Sequence, residues 1–262
     1  MAQVATSEFL VNKQKIEEKL KIFESIGLKE LDNVQLLNRV DTKFVFNINL
    51  MPSILEELSE SYYILDIKDV RLNEYASIYF DTPDLELYNL HHNGRKNRYK
   101  MRYRKYVDSG LSFFEIKFKN NKGRTIKKRV RTQDIGYAFG EDAVNLIHTT
   151  SSLDETRYQH SIDINFFRLT LAEKDYKERA TLDIGLHYVV DGKRIGYEEL
   201  IIAELKQEKA DRRSPMVSCL KNHGIHPYKI SKYCLGILSC YDGVKYNRFK
   251  PKLRAIDKIQ TM

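Results

Sequence analysis

The chain has 262 residues, 42% of them apolar and 31% charged, enough to bury a sizeable core as one large or two small domains and too apolar for a disordered or fibrous protein. Its 44 Lys and Arg outnumber 36 Asp and Glu, a net charge of +8, which points to polyanionic partners: nucleic acid, phosphate-rich metabolites or an anionic membrane surface. It has no signal-like N-terminus and no window of about 18 apolar residues, so a soluble cytoplasmic protein with no direct membrane insertion is expected.

In chain order, Gln14 to Ile26 reads as an amphipathic helix with the stripe Ile16, Leu20, Ile22 and Phe23, stopped by Gly27. Leu37 to Asn47 alternates as a strand, and Pro52 with Ile54, Leu55 and Leu58 predicts a short helix. Strands follow at Ala76–Asp81, Arg98–Tyr106, Leu111–Lys119 and Thr125–Arg131, with a turn at Asn120–Gly123. A helix is predicted between Asp134 and His148, then strands at Asn165–Ala172, Arg179–Val190 and Glu199–Glu208. Ser214-Pro215 opens a helix that Gly224 ends, and Ser231 caps another running through Leu235 and Leu238. Cys219, Cys234 and Cys240 lack metal-finger spacing and read as reduced core thiols. No repeat or linker divides the chain, which is read as one mainly antiparallel α+β fold.

Strand side chains alternate between faces. The alternation puts Arg98, Lys100, Arg102 and Arg104 on one face, opposite Tyr99, Met101 and Tyr103. The same habit groups Glu115, Lys117 and Lys119; Lys127, Arg129 and Arg131; Arg39, Asp41 and Lys43; Arg179, Thr181 and Asp183; and Glu204 with Lys206, while Arg168 opposes Phe167 and Leu169. A solvated sheet also alternates, but it mixes signs, whereas rows of like charge repel unless an anion neutralises them. Basic rows with a few acids suit a polyphosphate bound through a divalent metal. No P-loop, G-x-G-x-x-G, catalytic triad or H-E-x-x-H pattern is present, so any chemistry here rests on lysine, arginine and carboxylate.

The stretches Arg39-Val40-Asp41-Thr42-Lys43, Ile78-Tyr79-Phe80-Asp81-Thr82, Lys100-Met101-Arg102-Tyr103-Arg104, Glu115-Ile116-Lys117, Ala203-Glu204-Leu205-Lys206 and Lys229-Ile230-Ser231-Lys232-Tyr233 together resemble the VTC domain. That domain is the polyphosphate polymerase of the vacuolar transporter chaperone complex, a branch of the triphosphate tunnel metalloenzymes (CYTH superfamily). The resemblance implies a closed antiparallel β-barrel tunnel over residues 37–254, an N-terminal helical segment (1–36) packed on it and a C-terminal tail (255–262). It further implies catalytic roles for Arg102, Arg104, Lys117, Lys43 and Arg168, and substrate contacts from Arg39, Lys100, Lys127, Arg129, Arg179, Lys206, Lys229, Ser231 and Lys232. Glu204 matches the metal ligand for Mn²⁺ or Mg²⁺. Where the tunnel hydrolases carry E-x-E-x-K, this chain reads Arg39-x-Asp41-x-Lys43, which favours the polymerase branch.

The expected activity is transfer of the ATP γ-phosphate to a growing polyphosphate chain with release of ADP. Its partners would be ATP, inorganic polyphosphate and pyrophosphate. A triphosphatase of the same fold and a non-catalytic polyphosphate binder are the alternatives. Nucleic acid is disfavoured, because most of the aromatics are expected on the faces opposite the cations, in the core, where they cannot stack on bases. The paired arginines are expected to repel each other, so that removing both would spare the fold.

Overall fold

Alternating sequence becomes sheet throughout the computed structural model, which describes residues 7–31 and 39–261; the start of the first alternating stretch, Leu37 and Asn38, lies outside them. The helices are α1 (Ser7–Leu20), α2 (Leu28–Leu31), α3 (Met51–Leu58), α4 (Glu86–His92), α5 (Glu141–Thr150), α6 (Pro215–Asn222), α7 (Lys232–Cys240) and α8 (Lys250–Gln260). The strands are β1 (Ser25–Ile26), β2 (Val40–Asn47), β3 (Tyr62–Leu65), β4 (Asn73–Asp81), β5 (Arg98–Tyr106), β6 (Leu111–Lys119), β7 (Thr125–Thr132), β8 (Gln159–Glu173), β9 (Glu178–Val190), β10 (Lys193–Tyr197) and β11 (Leu200–Gln207). The ladder runs β2-β11-β9-β8-β4-β5-β6-β7, with β10 on β9, β3 on β8 and β1 on β3. Only the β1–β3 pair is parallel among the described strands.

The protein is therefore α+β around one large antiparallel sheet, but the expected closed barrel is corrected. Among the described residues, hydrogen bonding ends at β2 on one side and β7 on the other. Strand β7 is exposed from Thr125 to Arg129 and carries Lys127, Lys128, Arg129 and Arg131, and a charged edge strand resists further pairing.

Both faces of the sheet are covered, unequally. On one face α1, α3 and α6 pack Phe9, Ile16, Ile54, Leu55 and Leu220 against Leu169, Leu171, Leu182 and Ala203. Farther along, Ala143 and Ile147 of α5 and Leu87 of α4 join the cluster of Met101, Tyr103, Phe114 and Ile116. On the other face α7 and α8 cluster with Ile162, Ile164, Leu186, Tyr188 and Ile202, leaving the rest of that face to the cations. Strand β9 reaches both faces through a register shift: β8 pairs with it irregularly between Asn165 and Phe167. Gly185 stands there at φ 63°, with the Phe9 ring 2.4 Å from where a Cβ would be. That offset lets Asp183 and Leu186 share one face across three residues.

Two predicted helices move. The first starts at Ser7 and ends at Leu20 rather than running from Gln14 to Ile26, because Arg71 Nη1 donates to the carbonyls of Leu20 (2.8 Å) and Phe23 (3.3 Å). Ile22, placed in its stripe, is exposed. The helix expected from Asp134 begins at Glu141: Asp134 holds Lys105 and its neighbour's amide, and the Gly140 amide donates to Tyr103 Oη. The caps Ser214 and Ser231 stand as predicted, each accepting from the amide three residues on. Residue 254, the predicted domain limit, falls inside α8. All three cysteines are free thiols, Cys219 and Cys234 buried and Cys240 half-buried. No helix among the described residues is long and apolar enough to cross a membrane.

Candidate functional site

Register across β4, β5, β6 and β7 sets Tyr79, Arg102, Glu115 and Arg129 side by side. Arg102 donates from Nε and Nη2 to Glu115 Oε2 at 2.8 and 2.6 Å, and from Nη1 to Tyr79 Oη at 2.7 Å. Lys127 forms an ion pair with the other Glu115 oxygen. Burial pushes the Glu115 carboxyl up, but Arg102, Arg104 and Lys127 outweigh it and hold it well below the usual carboxylate range. The next register row holds Lys100, Lys117 and Lys127. Lys117 has no carboxylate within ion-pair distance among the described residues; the Arg102 charge beside it, then burial, push its ammonium well below the lysine range. Burial, partly offset by Glu115, brings Lys127 down to about 8.

Arg104 is buried and, among the described residues, donates only to Ser77 Oγ at 3.3 Å. Its guanidinium lies 5.3 Å from the Tyr75 ring and 5.8 Å from Phe166. Arg168 approaches the same two rings, at 4.9 and 5.2 Å, and the rings stack on each other at 5.3 Å. An aromatic pair thus spaces two like charges, which its quadrupoles attract. Asp183 fixes Arg168 through two bonds, Nε–Oδ1 at 2.6 Å and Nη2–Oδ2 at 2.8 Å, and also pairs with Lys232. Burial alone would raise the Asp183 carboxyl, yet Arg168 and Lys232 hold it far below its ordinary value.

The third group spans β2 and β11. Glu204 stands opposite Lys43 and Thr181, pairing through Oε2 with Lys43 at 2.7 Å and through Oε1 with Lys206 at 3.3 Å. Burial pushes Glu204 up, but Lys206 and Lys43 outweigh it and hold it ionised; burial lowers Lys206 to about 8 despite Glu204. The buried Thr181 hydroxyl has no hydrogen-bond partner among the described residues. One carboxylate with a spare hydroxyl fits an octahedral divalent ion that takes its other ligands from phosphate and water, not an all-protein cage.

Helix α7 closes the arrangement. Ser231 Oγ accepts from Lys100 Nζ at 2.8 Å and from the Cys234 amide, and Lys232 is the helix's first residue. Tyr233 stacks on Tyr79 at 5.1 Å and donates to Asp81, whose carboxylate also accepts from the amides of Thr82, Leu87 and Tyr88. One buried aspartate thus pins the starts of both α4 and α7 to β4.

Of the residues predicted from sequence, Arg102, Arg104, Lys100, Lys117 and Lys127 form one cluster, Arg168 and Lys232 meet at Asp183, Lys43 and Lys206 meet at Glu204, and Ser231 joins α7 to Lys100. Others stand apart: Arg39 is exposed and paired with Asp41 at 3.2 Å, Arg129 is exposed with its guanidinium 4.7 Å from the Phe113 ring, and Lys229 is exposed. Arg179 is half-buried beside Lys206 in register. The expectation that aromatics face away from the cations holds for Tyr103 and Phe114 but fails for Tyr75, Tyr79, Phe166 and Tyr233. Alternation could have found these rings: Tyr75 and Tyr79 flank Ser77 at spacing two, as Phe166 does Arg168. Their faces are taken by one another and by the guanidiniums.

The fold and this face define a class of protein with a largely buried cationic surface on one face of a large antiparallel sheet. A family model of the VTC domain matches residues 38–241, and the chain belongs to that family. No curated protein sequence matches it. Among solved structures it is similar to a Vibrio parahaemolyticus protein described as a candidate adenylate cyclase, at 12% identity over 76% of this chain and 98% of that one, TM-score 0.47. It is also similar to a candidate adenylyl cyclase from Hippeastrum with a dominant triphosphatase activity, at 11% identity over 78% and 98%, TM-score 0.46. A conserved Pyrococcus furiosus protein of unassigned function matches at 14% identity over 71% and 91%, TM-score 0.39.

Proposed function

We propose that the protein is a polyphosphate polymerase that moves the γ-phosphoryl group of ATP onto the terminal oxygen of a polyphosphate chain and releases ADP. The observation that carries this reading is the set of cations without an acid: Lys100, Arg104 and Lys117 are buried or half-buried on one face, and among the described residues none is in ion-pair contact with a carboxylate. Desolvated like charges destabilise a fold unless an anion completes them, and a polyphosphate supplies one charge after another along a line.

In the transfer, a terminal phosphate oxygen of the acceptor forms a bond to the γ-phosphorus as the bridging oxygen leaves with ADP. Catalysis of such a step is positioning plus charge neutralisation. Arg102 brings a fork already aligned by Glu115 and Tyr79, Arg168 and Lys232 bring charges aligned by Asp183, and Arg104, Lys100 and Lys117 take phosphate oxygens. Glu204 would hold Mn²⁺ or Mg²⁺, which when bound neutralises phosphate charge. The cations outnumber what one triphosphate needs, which favours a second anionic substrate, either polyphosphate or pyrophosphate.

Incubation with ATP and Mn²⁺, resolved on a polyphosphate gel, tests the reading. Long-chain polymer with matching ADP is the expected product. Stoichiometric orthophosphate without polymer would make the protein a triphosphatase of the same site, and binding without turnover would make it a polyphosphate binder.

A further inference from the structure

On the sheet face opposite the cations, α3 packs against α6, and three donors of different chemistry meet between them. Cys219 and His223 are four residues apart, in α6 and at its C-terminal cap, so they share one side of the helix. Glu57 comes from the last turn of α3. The thiol sulfur, an imidazole nitrogen and a carboxylate oxygen all lie within 4.8 Å of one another, and His223 Nε2 is 2.6 Å from Glu57 Oε1. The three donors grade from core to solvent: Cys219 is 5% exposed, while the His223 and Glu57 side chains are 18% and 44% exposed.

We propose that Glu57, Cys219 and His223 form a binding site for a zinc-like divalent ion, with its fourth position open to water. The mixture decides the class of ion. A thiolate with an imidazole selects a borderline or soft metal, and a tetrahedral Zn²⁺ accepts sulfur, nitrogen and carboxylate oxygen together. The hard ions that suit Glu204 and phosphate avoid sulfur. On binding, the Cys219 S–H bond breaks, its proton leaves to solvent, and the sulfur, the His223 nitrogen and the Glu57 oxygen each form a bond to the ion; nothing is oxidised or reduced.

The placement gives the ion a mechanical role. Helix α3 follows directly from β2, which carries Lys43, and the chain leaving α6 runs past Tyr228, whose amide donates to the Lys43 carbonyl at 2.6 Å, to Ser231 and Lys232. An ion tying α3 to α6 therefore clamps the two arms that deliver Lys43 and Lys232, from outside the phosphate face. Cysteine spacing alone could not reveal the site, because its third donor comes from a distant helix. A second thiol–imidazole pair among the described residues, Cys234 Sγ to His91 Nδ1 at 3.0 Å, is the competitor that the test must separate.

The test is a Co²⁺ titration of the metal-stripped full chain, followed by displacement with Zn²⁺. A thiolate-to-cobalt charge-transfer band is expected, saturating with Co²⁺ and bleached by Zn²⁺; Glu204 has no sulfur and cannot produce it. Cys219→Ser should abolish the band and Cys234→Ser should leave it. Glu57→Gln and His223→Ala should each weaken binding by roughly tenfold or more, the scale already reached when only an outer hydrogen-bond partner of a ligand is lost. Glu57 is solvent-facing, so its variant reads binding rather than folding. Absence of the band in the parent, its survival in Cys219→Ser, its loss in Cys234→Ser, or unchanged affinity in Glu57→Gln would each overturn the site.

Discussion

Arg102 and Glu115 are joined by two hydrogen bonds to a single carboxylate oxygen, at 2.8 and 2.6 Å, with the glutamate wholly removed from solvent. Two residues along the same strand, Arg104 makes no ion pair with a carboxylate among the described residues and feels the Glu115 charge only through space. The paired arginines that look equivalent in the sequence therefore divide: one is fixed by a buried carboxylate, the other donates to the Ser77 hydroxyl. Arg102→Ala should destabilise the protein by about 3 kcal/mol, because it leaves a buried carboxylate with Lys127 alone. Arg104→Ala should leave thermal stability unchanged or raised and weaken tripolyphosphate binding in calorimetry. Equal stability losses in the two variants would refute this division. It also replaces the expectation that both could be removed without harm to the fold.

Glu204 is shared by Lys43 and Lys206. Glu204→Gln frees both lysines, so metal-free tripolyphosphate binding should persist or tighten, while the Mn²⁺ dependence of turnover is lost. Activity against Mn²⁺ concentration, compared with affinity measured in a chelator, checks both halves. A variant with the parental metal dependence would remove Glu204 from the metal.

Lys127 and Lys206 are each held down to about 8, and the pH dependence follows with a definite sign. Above pH 8 the folded protein binds fewer protons at these lysines than the unfolded chain does, so their contribution to stability without ligand rises with pH toward the ordinary lysine range. A bound polyphosphate favours the charged ammonium. Binding above pH 8 should therefore take up protons, seen as a buffer-dependent calorimetric enthalpy, and affinity should fall as pH climbs. A buffer-independent enthalpy would contradict it.

Lys232 shares Asp183 with Arg168, which alone satisfies both carboxylate oxygens. Lys232→Ala should thus change stability by no more than about 1 kcal/mol yet weaken ATP binding clearly, while Lys229→Ala, at an exposed position, should matter less. If the two variants bind ATP equally well, the start of α7 is not part of the nucleotide site.

Gly236 lets α7 lie on the sheet: a Cβ there would stand 2.5 Å from the Tyr188 ring and 2.7 Å from Ile162. Gly236→Ala should lower stability by about 1–3 kcal/mol through overpacking, in spite of alanine's better helix propensity. Chemical denaturation measures it, and a stabilised variant would mean that the helix can shift outward freely.

The eight strands of the main ladder, the cationic faces and the caps at Ser214 and Ser231 were legible in the sequence, because side-chain alternation and amide capping are local properties that a few neighbouring residues decide; the short side strands β1, β3 and β10 were not. Local pattern also marked Glu115 and Asp183 as lying on the same faces as the cations. It could not say which cation each would neutralise, since Arg102–Glu115 and Arg168–Asp183 depend on the register between strands, which long-range packing sets. Alternation could place Tyr75 and Phe166 on the cations' face but could not pair them: they stack because β4 lies beside β8. Closure failed as an inference because it concerns two edges far apart in the chain, β2 and the charged β7, whose pairing no local pattern encodes. What the tertiary structure decided was which cations are fixed by a carboxylate and which are buried without one, a difference that burial and partner geometry make and that charge counting cannot see.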